Sequence, residues 1–298
     1  MRVNPNPYPD LIAEVGLTQQ QVNTDEEEIA SGLSVNVPSD NPAAAAALVE
    51  NAAETAQADQ FQRSIGSIQG EIQSADSTLS SVVTALQQAI DLGTEGANGT
   101  LNSSDREAIV TQVQGIQSQL VSLANLSYQG NYVFGGTANQ TTPYVLDPSS
   151  TSGVTYQGNT GVNSVTLGAQ FSLQTNLPGS QLFSASGNDV FQSIQDLITG
   201  LQSNNDTAIG TAVTELGNAS SYVSAQSVFY GNALNQLTSQ QTYLSSDTTQ
   251  LAEQQSTEGA ADLPAVISNL TTAQTSLQAT LEAIAQTSST NLFEYLNK

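Results

Sequence analysis

Hydrophobic residues recur at coiled-coil spacing at both ends of this chain. Near the C-terminus Leu263, Leu270, Leu277 and Ile284 stand seven apart; Ile267, Leu281 and Tyr295 repeat on the neighbouring line, and Leu292 joins the same stripe. Ser, Thr, Gln and Ala fill most other positions, so the predicted helix over 263–296 has one sticky stripe and gains little by standing alone. At the other end Val15, Val22 and Ile29 are also seven apart and are flanked by Leu11 and Leu33. Two seams of similar length predict an antiparallel or staggered pair made from the two ends of the chain.

Between these ends the same pattern continues on longer elements. The first helix should begin near Asp10, after Pro5, Pro7 and Pro9, and stop at Gly32. Pro38, Ser39, Asp40, Asn41 and Pro42 form a non-helical joint, with Ser39 or Asp40 placed to cap the next helix. From Pro42 to about Leu92 a single helix is expected, because Ile65, Ile68, Ile72, Ala75, Leu79, Val82 and Leu86 keep four-three spacing. Ser104 to Glu107 reads as a capping box opening a third helix, whose stripe is Ile109, Val113, Ile116, Leu120 and Leu123. The short Gly/Asn-rich connection predicts that these two helices form an antiparallel hairpin.

From about Gly130 short β-branched and aromatic runs alternate with Gly, Asn, Pro and Thr clusters, which predicts a small sheet module. Helix resumes near Asn188, with Val190, Ile194, Leu197 and Leu201 on one face. After a break at Ser203–Asp206 a second long helix carries Ile209, Val213, Leu216, Val223, Tyr230, Leu237, Leu244 and Leu251. The fold class is therefore mainly α with a small β module, built on long antiparallel helical rods with paired termini. Five segments are expected: 1–37 and 259–298 as terminal helices, 38–130 and 187–258 as the rod, and 131–186 as a β-rich module.

Composition narrows the chemistry. Cys, His and Trp are absent, and the cations are Arg2, Arg63, Arg106 and Lys298. Zinc, copper and haem ligand sets, His-based triads and a phosphate-loop lysine are thereby removed, and no cofactor or metal is expected. A net charge of −23 speaks against nucleic acid and against an anionic membrane surface as partners. The N-terminus lacks the apolar core of a signal peptide, and the longest apolar run, Ala43 to Val49, is far short of the ~20 residues of a membrane span. Asp25 to Glu28 read as a solvated helix face, and Tyr132, Tyr144 and Tyr156 as core. A pair of carboxylates can hydrolyse a glycoside, but the acids fall on helices and no Trp platform exists, so no catalytic residues are assigned.

Ile29-Ala-Ser-Gly-Leu33 followed by Val37-Pro-Ser-Asp-Asn-Pro-Ala-Ala-Ala-Ala46 resembles the N-terminal signature of the flagellin-like axial proteins of the bacterial flagellum. Gly130-Asn-Tyr-Val-Phe-Gly-Gly-Thr137 and the ending Asn291-Leu-Phe-Glu-Tyr-Leu296 lean the same way, and the likeness spans essentially the whole chain. Within that family the joint resembles the hook–filament junction branch more than flagellin proper. The resemblance implies a structural subunit, not an enzyme. It would join hook-associated protein 1 to the flagellin filament in a ring of its own copies, through terminal helices that order on assembly. It further implies export by the flagellar type three channel without a cleaved signal, an export chaperone, and an extracellular place in the flagellum. Two departures stand out: three prolines near the start, and the scarcity of cations. Flagellin, the main filament subunit, is the alternative, with a non-flagellar coiled-coil protein or an enzyme behind it.

Overall fold

In the computed structural model the backbone is described for residues 8–168 and 171–296, and side chains for all of these except Tyr8 and 287–296. Pro5, Pro7 and the seam side chains of Leu292 and Tyr295 thus lie outside the described residues. The chain order is α1 (Tyr8–Ser31), α2 (Pro42–Gly96), α3 (Ser103–Ala124), β1 (Ser127–Tyr128), β2 (Asn131–Tyr132), β3 (Tyr144–Leu146), β4 (Val154–Tyr156), β5 (Ser164–Thr166), β6 (Ser172–Gln174), α4 (Gly179–Leu182), β7 (Ser184–Ala185), β8 (Asn188–Asp189), α5 (Val190–Gln202), α6 (Asp206–Gly259) and α7 (Leu263–Leu296). The fold is mainly helical with small hairpins in the middle, as the spacing predicts. It divides into two compact units, one of Met1–Gln57 with Ser246–Lys298, the other of Ala58–Ser245.

In the unit 58–245 the four-three stripes become a shared core. Ile65, Ile72, Ala75, Leu79 and Leu86 of α2 are fully buried, as are Val113 of α3, Ile194 and Leu197 of α5, and Ile209, Leu216, Val223, Tyr230 and Leu237 of α6. Within this unit α2 and α6 run antiparallel: Gln69 Nε2 donates to Gln241 Oε1 at 3.5 Å, and further along Gly93 is so close to Val213 that an added Cβ would lie 2.6 Å from it. α3 folds back along α2, its Ile109 beside Gly96. Its cap is Asn102, not Ser104. Asn102 Oδ1 accepts the Asp105 N–H at 2.9 Å while Asp105 reaches back to the Asn102 N–H, so the helix starts at Ser103 rather than after Ser104.

The expected sheet module is instead four separate two-stranded antiparallel hairpins, β1–β2, β3–β4, β5–β6 and β7–β8, beginning at Ser127. Strands of two or three residues cannot bury a common face, so the hairpins lean on helices, and β3–β4 also on an aromatic cluster. In that cluster Tyr144 lies 4.9 Å from Tyr156 and 4.8 Å from Phe191, centroid to centroid, and Phe134 meets Phe183 edge-on at 5.2 Å. Burial pushes the Tyr144 phenol far up, and its hydroxyl pairs with Ser184 Oγ at 3.3 Å. The turn between β1 and β2 places Gln129 (φ 50°) and Gly130 (φ 85°) at positive φ, the requirement of a tight two-residue hairpin loop. α5 follows from Asp189, whose carboxylate accepts the N–H groups of Phe191 and Gln192, both at 2.9 Å.

Candidate assembly interface

The joint begins where α1 ends. Gly32 takes φ 72°, open to glycine without strain, and its N–H donates to Glu28 O at 2.8 Å. The chain then turns on Asp40: its Oδ2 accepts the N–H of Asn36 at 3.0 Å and of Val37 at 2.9 Å. Asn41, not Ser39 or Asp40, caps α2, its Oδ1 accepting from the Ala44 N–H at 3.1 Å with Pro42 in the first turn. Asp40 is occupied in folding the joint, which leaves the cap to its neighbour. Pro38, Ser39, Asp40, Asn41 and Pro42 are all exposed.

The second joint, between α6 and α7, meets the first. Ser34 N–H donates to Gly259 O at 2.8 Å, Ala261 N–H donates to Gly32 O at 3.0 Å, and Leu33 and Ala260 form an antiparallel bridge. An added Cβ on Gly259 would lie 3.2 Å from Leu48, so the backbone passes tightly over α2. From this stitch α1 and α7 run side by side and antiparallel, with Glu14, Leu17, Thr18 and Gln21 across a shallow groove from Asn269, Thr272, Ala273 and Ser276.

The inward line of α1 is Leu11, Val15, Thr18, Val22, Asp25 and Ile29, spaced four-three throughout. Val22 is buried, and Leu11, Val15 and Ile29 are half-buried; Leu33 is exposed beside the joint. On α7 the half-buried line Leu270, Leu277 and Ile284 is joined by Val266 and Ala273, both buried, and by half-buried Thr280. Ile267 and Leu281, placed by the sequence on the second seam line, are instead 52% and 49% exposed, and Leu263 is exposed at the helix start. The small Ala273 and Thr280 let α1 approach on that side, which turns the larger Ile267 and Leu281 outward. With Ile12 and Leu17 of α1, also exposed, they leave apolar side chains uncovered on this helix pair.

Asp25 is the residue the sequence reading missed. Among the acids of 25–28 it is buried, 3% exposed, with Oδ1 accepting from Gln21 Nε2 at 2.9 Å and Oδ2 without a partner. Partial burial, then the charges of Asp25 and Asp40, raise the Glu28 carboxyl above its ordinary range. The legible signal was its place on the four-three line, three residues after Val22. Among the described residues no group of three acids is arranged to hold a metal, and no helix is long and apolar enough to cross a membrane.

Residues 8–139 match the family described as the bacterial flagellin N-terminal helical region. The flagellar hook-associated protein 3 of Escherichia coli K12 is 34% identical over 119 residues, and that of Salmonella typhimurium LT2 is equally so; the aligned stretch is 40% of this chain and 38% of each relative's length. The fold is similar to the flagellar junction protein FlgL of Legionella pneumophila, with TM-score 0.60 and 14% identity over 72% of this chain and 100% of that one. It is also similar to FlgL of Bacillus cereus, with TM-score 0.58 and 22% identity over 68% of this chain and 97% of that one.

Proposed function

We propose that this chain, whose residues 8–139 match the bacterial flagellin N-terminal helical region, is the junction subunit of the bacterial flagellum, seated between hook-associated protein 1 and the flagellin filament. The observation that carries the reading is the terminal pair: α1 and α7 joined by stitched joints, with a weakly apolar seam inside and Ile12, Leu17, Ile267 and Leu281 exposed. A pair that buries little of its own surface gains from neighbours, which suits a subunit ordered by assembly. The named relatives, both hook-associated protein 3, favour the junction role over the filament role.

The mechanism is mechanical. A ring of copies presents the terminal helices to the subunits on either side. The expected seam residues are Leu11, Val15, Val22, Ile29, Leu33, Leu263, Ile267, Leu270, Leu277, Leu281, Ile284, Leu292 and Tyr295, with the 38–42 joint fixing where the next helix leaves. The subunit reaches the cell exterior through the flagellar type three channel, with an export chaperone on the terminal seam. Electron microscopy of the protein with labelled flagellin seeds at raised salt tests this. Labelled protein should stop at one seed end and form no filament alone. Long filaments made without seeds would make the chain a flagellin, and absence of binding would remove the flagellar role.

A further inference from the structure

Asn98-Gly99 is the one Asn-Gly step in the chain. It lies at the tip of the connection from α2 to α3, where Asn98, Gly99 and Thr100 are all exposed. The Leu101 N–H donates to Asn98 O at 3.0 Å, closing a turn over Gly99 and Thr100. The Asn98 carboxamide folds back over that turn: its Oδ1 accepts the Thr100 N–H at 3.2 Å and the Thr100 hydroxyl at 3.0 Å. Among the described residues nothing accepts the Gly99 N–H. The fold does not itself require glycine here. Its φ lies outside the left-handed region, and an added Cβ would meet only Asp206 Oδ2, at an ordinary 3.7 Å. What the missing side chain does is leave the Gly99 nitrogen open to approach.

We propose that Asn98 is a site of spontaneous covalent modification, cyclising onto Gly99 and opening to aspartate and isoaspartate. The Gly99 N–H gives its proton to hydroxide, its nitrogen bonds to Asn98 Cγ, and the carboxamide nitrogen takes a proton from water and leaves as ammonia, which closes a five-membered succinimide. Water then adds to either carbonyl of that ring and breaks its bond to nitrogen, so the main chain runs through the α-carbonyl or through the β-carbon; nothing is oxidised or reduced. The two donors on Oδ1 draw charge from the carboxamide carbon and stabilise the oxyanion formed on attack, and the turn holds the nucleophile beside it. Either product adds one negative charge at the tip of the hairpin, beside the Arg106–Asp206 pair. The site belongs to the unit 58–245 and does not rest on the junction reading.

Peptide mapping of folded full-length protein held at mildly alkaline pH tests this. Trypsin cuts after Arg63 and Arg106, so Asn98 is read in the peptide 64–106. Asn102, in the same peptide, is the internal control; its Oδ1 is held by the Asp105 N–H at 2.9 Å and Ser103 follows it. The exchange of ammonia for water should map to position 98, in aspartyl and isoaspartyl forms, and quicken as pH rises. Gly99→Ala, with circular dichroism unchanged, should slow it by roughly ten-fold or more, and Thr100→Val, which removes one donor to Oδ1, several-fold. Asn98 that stays intact in the folded chain while it reacts in urea overturns the proposal. So does conversion of Asn102 as fast as Asn98, or a wild-type rate in Gly99→Ala. A wild-type rate in Thr100→Val overturns the activating role of the hydroxyl.

Discussion

Glu71 shows how a single side chain can hold stability in reserve. It sits partly buried on α2, and burial alone raises its carboxyl above the ordinary range. A raised folded-state value means that folding favours the protonated form. Its stabilising contribution is therefore present below the unfolded carboxylate value and is lost as pH rises through the folded one. Glu71→Gln should raise Tm at pH 7 by about 2–4 °C per kcal/mol recovered, the scale for domains of this size, with the gain vanishing near pH 3. A thermal shift independent of pH would refute the burial account. Arg106 is the converse case. Its side chain is 6% exposed and pairs with Asp206, which is 54% exposed, across the start of α3 and the start of α6. Asp206→Ala leaves the buried guanidinium with the Asn98 carbonyl as its acceptor and should cost about 1–3 kcal/mol, Asp206 itself being half in water. The double change with Arg106→Leu should recover much of that, so a double-mutant cycle by urea melts decides. At this scale the sequence was partly legible. Caps were placed in the right turns but on the wrong residue, because Asn, Ser and Asp cap about equally well and only the fold chooses among Asn41, Ser39 and Asp40. The acids 25–28 read as one solvated face, yet four consecutive residues spread over about 300° of a helix that turns about 100° per residue, so one of them has to face the seam.

Among elements, the long helices were written plainly in four-three spacing, and their ends fell within a few residues of Pro42–Gly96 and Asp206–Gly259. The hairpins were not. Short β-branched runs specify strands but not partners, and pairing here is strictly local, set by turns such as Gln129–Gly130. The α7 seam was half legible for a related reason. A seven-residue repeat fixes one line, whereas the second line can fall three or four residues on, and the choice depends on the facing helix. Paired substitutions test the outcome. Val266→Ser, on the buried line, should loosen α1 and α7 in the monomer, costing about 1–2 kcal/mol. Ile267→Ser should leave the monomer unchanged within about 0.5 kcal/mol and reduce assembly instead. Hydrogen exchange and seed addition read the two effects separately, and the reverse pattern would put Ile267 back on the inner line. Leu277→Asp, on the half-buried line, should abolish incorporation with the unit 58–245 still folded by circular dichroism.

For the molecule as a whole, charge decides how copies can approach. The net charge is −23, and among the described cations Arg106 is spent inside the fold while Arg63 is exposed on α2. The terminal unit is strongly acidic as well, since Glu14, Asp25, Glu26, Glu27, Glu28, Glu253, Glu258, Asp262 and Glu282 fall in a sequence whose cations there are Arg2 and Lys298 alone. Copies that bring these helices together concentrate like charge, and the apolar residues they would cover are few. Repulsion between exposed charges fades beyond a screening length of about 30 Å at 0.01 M salt and about 10 Å at 0.1 M. Assembly should therefore quicken as sodium chloride rises from about 10 to 300 mM, a range in which that length falls below the spacing of neighbouring helices. The monomer's own α1–α7 pair, carrying the same acids, should gain protection over the same range. Light scattering of seeded assembly together with monomer exchange at each salt separates the two. Assembly that slows with salt would mean that ion pairs with a partner's cations, rather than apolar contact against repulsion, hold the subunits together.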